Sequence, residues 1–224
     1  DDALRSGDYV NGLAYDRQGR TTFAVARPSN NSGNNYITGD GRDNSTSNYY
    51  SLGNVNGTLR AAAWGNDMDY GGYWSVGQYR MVALRFENYE IDNSNNAQFF
   101  NSGSLIHQSN RNWVTHLNDG QDLIIGGLND TSADFSGNIA EVIHYPWRLS
   151  DSERNRVESY LAIKYGMQLG HVNDYLNSSG SSIFDPDSGN SVNAANNGSR
   201  DWYDIAGIGR DDMSALNQRI SKSG

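Results

Sequence analysis

Four aromatic residues crowd around three polar ones in one short stretch of this chain. Trp64, Tyr70, Tyr73 and Trp74 flank Asn66, Asp67 and Asp69, and Gly71-Gly72 opens the backbone among them. That mixture suits recognition of a polyhydroxylated ligand. An aromatic ring offers a flat apolar surface for stacking, while carboxylate and amide groups read hydroxyl protons. The plainer alternative places Trp64 and Trp74 in the core and makes the segment an ordinary hairpin. A smaller grouping joins Trp113 to His116 and Asp119.

Oxygen-rich stretches recur elsewhere. Asp40-Gly41-Arg42-Asp43-Asn44, Asn66-Asp67-Met68-Asp69, Asn118-Asp119-Gly120-Gln121-Asp122 and Asp185-Pro186-Asp187-Ser188-Gly189-Asn190 each gather carboxylates and amides in a short span. A hard cation such as Ca²⁺ takes several oxygens of this kind, often with backbone carbonyls added. Asp40, Asp43, Asp119 and Asp122 are therefore candidate Ca²⁺ ligands. Asx turns produce the same composition without a metal, and no stretch ends in the glutamate of an EF-hand.

Catalytic constellations are incomplete. A retaining glycosidase needs two carboxylates across the scissile bond. Glu90-Ile91-Asp92 has part of the strand spacing used by sandwich glucanases, but the third carboxylate position falls on Asn95. Of the other glutamates, Glu141 and Glu153 have structural explanations. His107, His116, His144 and His171 are the histidines, with no Gly-x-Ser-x-Gly elbow and no His-Glu-x-x-His zinc motif. His144 alternates with Val142 and is expected to be a packed strand residue. With no cysteine there is no disulfide, thiolate zinc site or thiol nucleophile. These residues favour a protein that is not an enzyme.

Composition narrows the partner. The net charge is -9 and the pI about 4.7, which opposes nucleic-acid backbones and anionic membranes. No signal peptide and no apolar run of membrane length is present. Only 36% of the 224 residues are hydrophobic and 28 are asparagine, yet aromatics make up 11%, more than a disordered chain carries.

Strands must position these groups. Thr21–Ala26, Leu59–Trp64, Arg80–Phe86, Ala97–Phe100, Asp122–Gly127 and Ile139–Tyr145 are β-branched, aromatic or alternating runs. Met81 and Ala83 should share one face, and Val82, Leu84 and Phe86 the other. Ile139, Glu141, Ile143 and Tyr145 should likewise share a face. Asn30–Asn34, Gly39–Asn44 and Asn93–Asn96 read as loops, and Asn56-Gly57 as a hairpin turn. Strands spaced in this way predict an all-β antiparallel sandwich of the jelly-roll kind. One helix follows. Ser150 and Glu153 form a capping box, Gly166 is a stop, and Val157, Tyr160, Leu161 and Lys164 recur at helical spacing, which predicts an amphipathic helix over 150–165. Trp147 is expected to pack beneath it. The sandwich and helix are assigned to 1–170, and 171–224 to an Asn/Ser/Gly-rich extension with a strand near 202–209.

Three blocks carry a resemblance. Gly137-Asn138-Ile139-Ala140-Glu141-Val142-Ile143-His144-Tyr145, followed by Leu149-Ser150, resembles the last strand of laminin-G-like, concanavalin A-like jelly rolls. Glu153-Arg154-Asn155-Arg156-Val157-Glu158-Ser159-Tyr160-Leu161-Ala162-Ile163-Lys164-Tyr165-Gly166 and Asp204-Ile205-Ala206-Gly207-Ile208-Gly209-Arg210-Asp211-Asp212 are similar to blocks in bacterial secreted and cell-surface proteins. The resemblance implies a secreted, adhesin-type module, a piece of a larger chain with neighbouring domains. The expected function is non-catalytic, extracellular glycan recognition with Ca²⁺ as a candidate cofactor. A Ca²⁺-dependent peptide- or protein-binding adhesin module, a structural spacer and a glycoside hydrolase-like enzyme remain alternatives.

Overall fold

Strand-forming residues dominate the architecture. The computed structural model describes residues 3–5, 19–41, 49–88, 94–113, 123–128, 133–170, 174–184 and 209–218. In chain order the elements begin with β1 (Leu4–Arg5), β2 (Arg20–Pro28), β3 (Asn34–Gly41), β4 (Tyr49–Val55), β5 (Thr58–Ala62) and β6 (Met68–Tyr70). They continue with β7 (Arg80–Phe86), β8 (Ala97–Asn101), β9 (Ser104–Ser109), β10 (Ile124–Ile125), β11 (Gly137–Tyr145) and the helix α1 (Asp151–Tyr165). Two short hairpins follow, β12 (Tyr175–Leu176) with β13 (Ser182–Phe184), and β14 (Gly209–Asp211) with β15 (Leu216–Gln218). The chain divides into two compact units, Asp1–Phe100 with Leu105–Arg148, and Asn101–Ser104 with Leu149–Gly224.

The first unit is an antiparallel sandwich. One sheet runs β1-β10-β3-β4-β5-β6 and the other β11-β2-β7-β8-β9. Their facing side chains make one core. Ile37, Tyr50, Leu52, Leu59, Ala61 and Met68 come from the six-stranded sheet, and Ala24, Ala26, Val82, Leu84, Phe86 and Phe99 from the other. Period-two alternation puts Val82, Leu84 and Phe86 inward as expected. The opposite face of β2 and β7 is closed to solvent as well, with Phe23, Val25, Met81 and Ala83 buried.

Alternation fails at β11. A bulge between Ile139 and Glu141 shifts the register against β2, so the face changes part-way along the strand. Ile139 packs against the core with Val142 instead of sharing a face with Glu141, Ile143 and Tyr145. Trp147 also departs from expectation. It is 52% exposed, set edge-on to Tyr145, with its carbonyl accepting from Thr21 Oγ1 at 3.2 Å.

His144 joins the two sheets through the core. Its Nδ1 lies 2.8 Å from Thr22 Oγ1, and its Nε2 lies 3.1 Å from Thr38 Oγ1 on β3. Thr38 Oγ1 donates to the Ile124 carbonyl at 3.0 Å, so its lone pairs are what remain for the imidazole. That order assigns the proton to Nε2 and leaves Nδ1 as the acceptor from Thr22. Tyr50 extends the chain, its hydroxyl 3.1 Å from Thr22 Oγ1. Burial, reinforced by the Arg20 charge, lowers the His144 pKa to about 4, so the ring is a neutral crosslink.

β3 takes in the ends of two predicted loops, Asn34 and Gly39–Gly41, and β4 forms where the sequence predicts no element. Asn34 and Asn35 pair with Val55 and Asn54, and Gly39, Asp40 and Gly41 pair with Ser51, Tyr50 and Tyr49. Turn-type residues form strands here because the sheet needs close approach. A Cβ on Gly53 would sit 2.6 Å from the Asn35 carbonyl oxygen and 2.8 Å from the Tyr36 Cα. Gly53→Ala is therefore expected to cost about 1–3 kcal/mol of unfolding free energy. An unchanged urea midpoint would show that the strands can part freely there. The predicted Asn56-Gly57 turn is present, both residues left-handed at φ 51 and 83, as a tight hairpin between β4 and β5 requires.

In the second unit, Ser150 caps α1 through a capping box and Gly166 ends it in the left-handed region. The Ser150 backbone and hydroxyl donate to Glu153, holding its carboxyl below the usual range. The buried face differs from the expected one. Arg154, Glu158, Ser159, Leu161 and Ala162 face inward, at helical spacing, while Lys164 is exposed over the Tyr160 ring. Polar side chains of α1 hold the next hairpin. Asn155 Nδ2 donates to the Asp174 carbonyl at 3.0 Å and Ser159 Oγ accepts from Leu176 N at 2.9 Å. The turn Asn101–Ser104 belongs to this unit. Arg154 Nη1 donates to the Gly103 carbonyl at 3.2 Å, and Gly170 N to the Ser102 carbonyl at 2.6 Å. Gly209 opens β14, whereas 202–208 lie outside the described residues.

Candidate functional site

The loop joining β5 to β6 runs through Ala63–Asp67, and short backbone reach forces it to turn sharply. Trp64 takes up the strain at φ 46, followed by Gly65 at φ 82. A bulky residue in the left-handed region costs about 1–3 kcal/mol and persists only where its surroundings hold it. Three contacts hold this loop. The Ala63 amide donates to Asp67 Oδ1 at 2.9 Å, Trp113 Nε1 donates to the Asn66 carbonyl at 2.7 Å, and Asn66 Nδ2 donates to Asn112 Oδ1 at 2.7 Å. The indole of Trp64 is left 52% exposed.

β6 aligns the charged groups beside this loop. Arg60 on β5 lies opposite Asp69 on β6. Its Nε and Nη2 donate to the two Asp69 oxygens at 2.7 and 2.6 Å, and its Nη1 lies 3.3 Å from Asp67 Oδ2. The hydrogen bond to Asp69 raises the Arg60 pKa, so the guanidinium is permanently charged. Burial pushes the Tyr36 hydroxyl up to about 12 against the opposing pull of Arg60. Tyr70 ends β6, tilted against His107 of β9 with ring centroids 6.0 Å apart.

Tyr73 and Trp74 stand apart from the exposed group. They are 3% and 4% exposed, packed edge-to-face at 4.9 Å. Tyr73 donates its hydroxyl to the Met81 carbonyl at 3.1 Å and Trp74 its indole N–H to the Gly53 carbonyl at 3.2 Å. Burial raises the Tyr73 pKa. Their polar handles are used internally, and the Trp74 amide donates to the Gly57 carbonyl at the hairpin end of β5, away from this loop, so both are core side chains, and the plainer alternative holds for Trp74 but not for Trp64.

Trp113 joins this loop from below, buried, its ring tilted against Phe86 at 5.1 Å. Arg60, Tyr36, Asn112 and His107 escape a reading of sequence alone. The β5–β6 register would have found Arg60, because it sets that side chain across from Asp69. The others are brought in by distant segments and leave no local signal.

The cation candidates are scattered differently. Asp40 lies in β3 paired with Tyr50, in a strand and not in the expected loop, and its side chain is outside the described residues, as are Asp43, Asp119 and Asp122. Glu90, Asp92, His116 and His171 are outside them too. Among the described residues no group of three or more His, Cys, Asp or Glu side chains is placed to hold a metal. Among them, too, no helix is long and apolar enough to cross a membrane.

Comparison with known proteins gives a fold. A SAP-like pentraxin from Limulus polyphemus, in its native heptameric form, matches with a TM-score of 0.51 at 18% identity, over 70% of this chain and 76% of that one. The CBM40 of the Ruminococcus gnavus IT-sialidase, bound to alpha2,3 sialyllactose, matches at TM-score 0.49 and 14% identity, over 68% and 94%. Domain 4 of AbnA, an extracellular arabinanase of Geobacillus stearothermophilus in complex with arabinotriose, matches at 0.49 and 18%, over 67% and 69%. No curated protein matches the sequence. At these identities the likeness is one of fold, and with two packed antiparallel sheets it defines a lectin-like jelly-roll β-sandwich. Residues 153–224 match a family model described as a domain of unknown function (DUF8202).

Proposed function

We propose that the sandwich is a non-catalytic, extracellular glycan-recognition module, and that its ligand site is the Ala63–Asp67 loop with β6. The observation that carries this reading is Trp64: a large apolar ring, half exposed, on strained backbone that three hydrogen bonds hold in place. Such a ring stacks on the apolar face of a sugar. Asn66, Asp67 and Asp69 supply acceptors for hydroxyl protons, and Tyr70 follows Asp69 on β6, while Tyr73 and Trp74 belong to the core. Ca²⁺, through Asp40, Asp43, Asp119 and Asp122, belongs to the proposal as a separate support for the loops. So does the setting of a secreted or surface protein with further domains.

Binding to an array of glycans, with and without chelator, tests the reading. Trp64→Ala is expected to weaken binding at least tenfold, about 1.4 kcal/mol or more, with the unfolding midpoint unchanged because the ring is half in solvent. Undiminished glycan binding by that variant would remove the site. Capture of peptides instead of glycans would replace the ligand class, silence in both screens would leave a spacer, and turnover lost on Glu90→Gln would make the chain an enzyme. Loss of binding in chelator would support the Ca²⁺ part.

A further inference from the structure

We infer that the Trp64 site selects neutral or amine-bearing sugars and rejects acidic ones. The inference rests on the glycan reading above and adds the charge class of the ligand. An acidic sugar is usually held by a guanidinium fork or an ammonium group offered to its carboxylate. Here Arg60 is already committed on three nitrogens, two to Asp69 and one to Asp67. Arg111, beside Asn112, gives Nη1 to the neutral Asn110 carbonyl at 2.9 Å, a bond that does not pair its charge, so the selection rests on Asp69 and not on Arg111.

Two carboxylates against one guanidinium leave the group with one surplus negative charge. Its outer member is accessible, since the Asp69 side chain is 42% exposed. An ionised carboxylate can only accept. The remaining lone pairs of Asp69 therefore welcome a hydroxyl or an ammonium and repel a second carboxylate. The paired amides of Asn66 and Asn112 add neutral donors and acceptors. The chain as a whole carries -9, so the long-range field acts in the same direction.

Three probes on the intact chain test this by calorimetry: a neutral galactose- or glucose-based oligosaccharide series, sialyllactose, and glucosamine oligomers. Neutral or amine-bearing probes are expected to bind at least tenfold more tightly than sialyllactose. Raising the salt concentration should narrow the gap, because screening relieves repulsion between exposed charges. Asp69→Asn keeps the shape of the side chain, removes the surplus charge and loosens the grip on Arg60. That variant is expected to gain at least tenfold in affinity for sialyllactose. Sialyllactose binding the native chain as tightly as neutral sugars, or unmoved by Asp69→Asn, would overturn the charge selection while leaving glycan recognition intact. Silence from all three probes would overturn the glycan reading and the selection with it.

Discussion

Replacing Glu158 by alanine is expected to lower the unfolding free energy by about 3–5 kcal/mol, the usual cost of breaking a buried ion pair from one side. Glu158 is 0% and Arg154 5% exposed, and the two are in direct hydrogen-bonded contact one helical turn apart. Alanine would leave the guanidinium with the Gly103 carbonyl and with Asp151, whose carboxylate is 3.8 Å away and largely in solvent. Neither neutralises a buried charge well. Glu158→Gln keeps an acceptor and should cost less. Arg154→Met with Glu158→Leu removes both charges together and should recover much of the loss, since a buried pair is often no better than an apolar one of similar volume. Urea unfolding of the four proteins measures this. A Glu158→Ala loss below about 1 kcal/mol would mean that solvent reaches the pair.

Acid is expected to weaken the protein well above the pH at which carboxylates titrate. In the unfolded chain His144 takes a proton near its ordinary 6.5, whereas in the folded sandwich it does so only near 4. Between those values the unfolded state holds the extra proton, so stability rises with pH across the window. Its contribution is complete above about 6.5 and is lost as pH falls toward 4. The span corresponds to about 3 kcal/mol. Glu153 also loses its contribution in acid, but its carboxyl lies below the usual range, so that loss falls at the bottom of the window and beyond. Urea titrations at pH 7, 5.5 and 4.5, on the native chain and on His144→Gln, separate the two. The difference between the proteins should shrink as the pH drops. A constant difference would show that the His144 ring takes its proton equally well folded and unfolded, as one reached by water does.

Much of the sandwich could be read from periodicity, because β2, β7 and β11 carry β-branched and apolar residues that go into the core. β3 and β4 could not. Their asparagines, glycines and aspartate have turn chemistry, and only the tight passage of Tyr36 over Gly53 makes a small residue necessary in mid-sheet. The bulge in β11 leaves no mark either, since either register buries apolar side chains. For α1 the caps were legible through short-range hydrogen bonding, but the inward face was not. Hydrophobic spacing pointed to Val157, Tyr160, Leu161 and Lys164, of which Leu161 alone is buried, while the helix also buries a charge pair that only its surroundings make tolerable. At the site, Trp64 and the neighbouring acids were visible as composition. Their division into exposed ring, charge clamp and buried core depends on which backbone carbonyl each aromatic donor reaches.

The four-residue turn Asn101–Ser104 has a bearing on how such chains are assembled. It is spelled out in the sequence some fifty residues before α1, yet it supplies the carbonyls that Arg154 and the Gly170 amide require. Residues 153–224, transplanted behind an unrelated sandwich, would arrive with those donors unanswered. Genetic shuffling of this C-terminal segment should thus succeed only between hosts whose hairpin offers an equivalent corner, left-handed at Ser102 and Gly103, and the segment and that corner should be inherited as a pair.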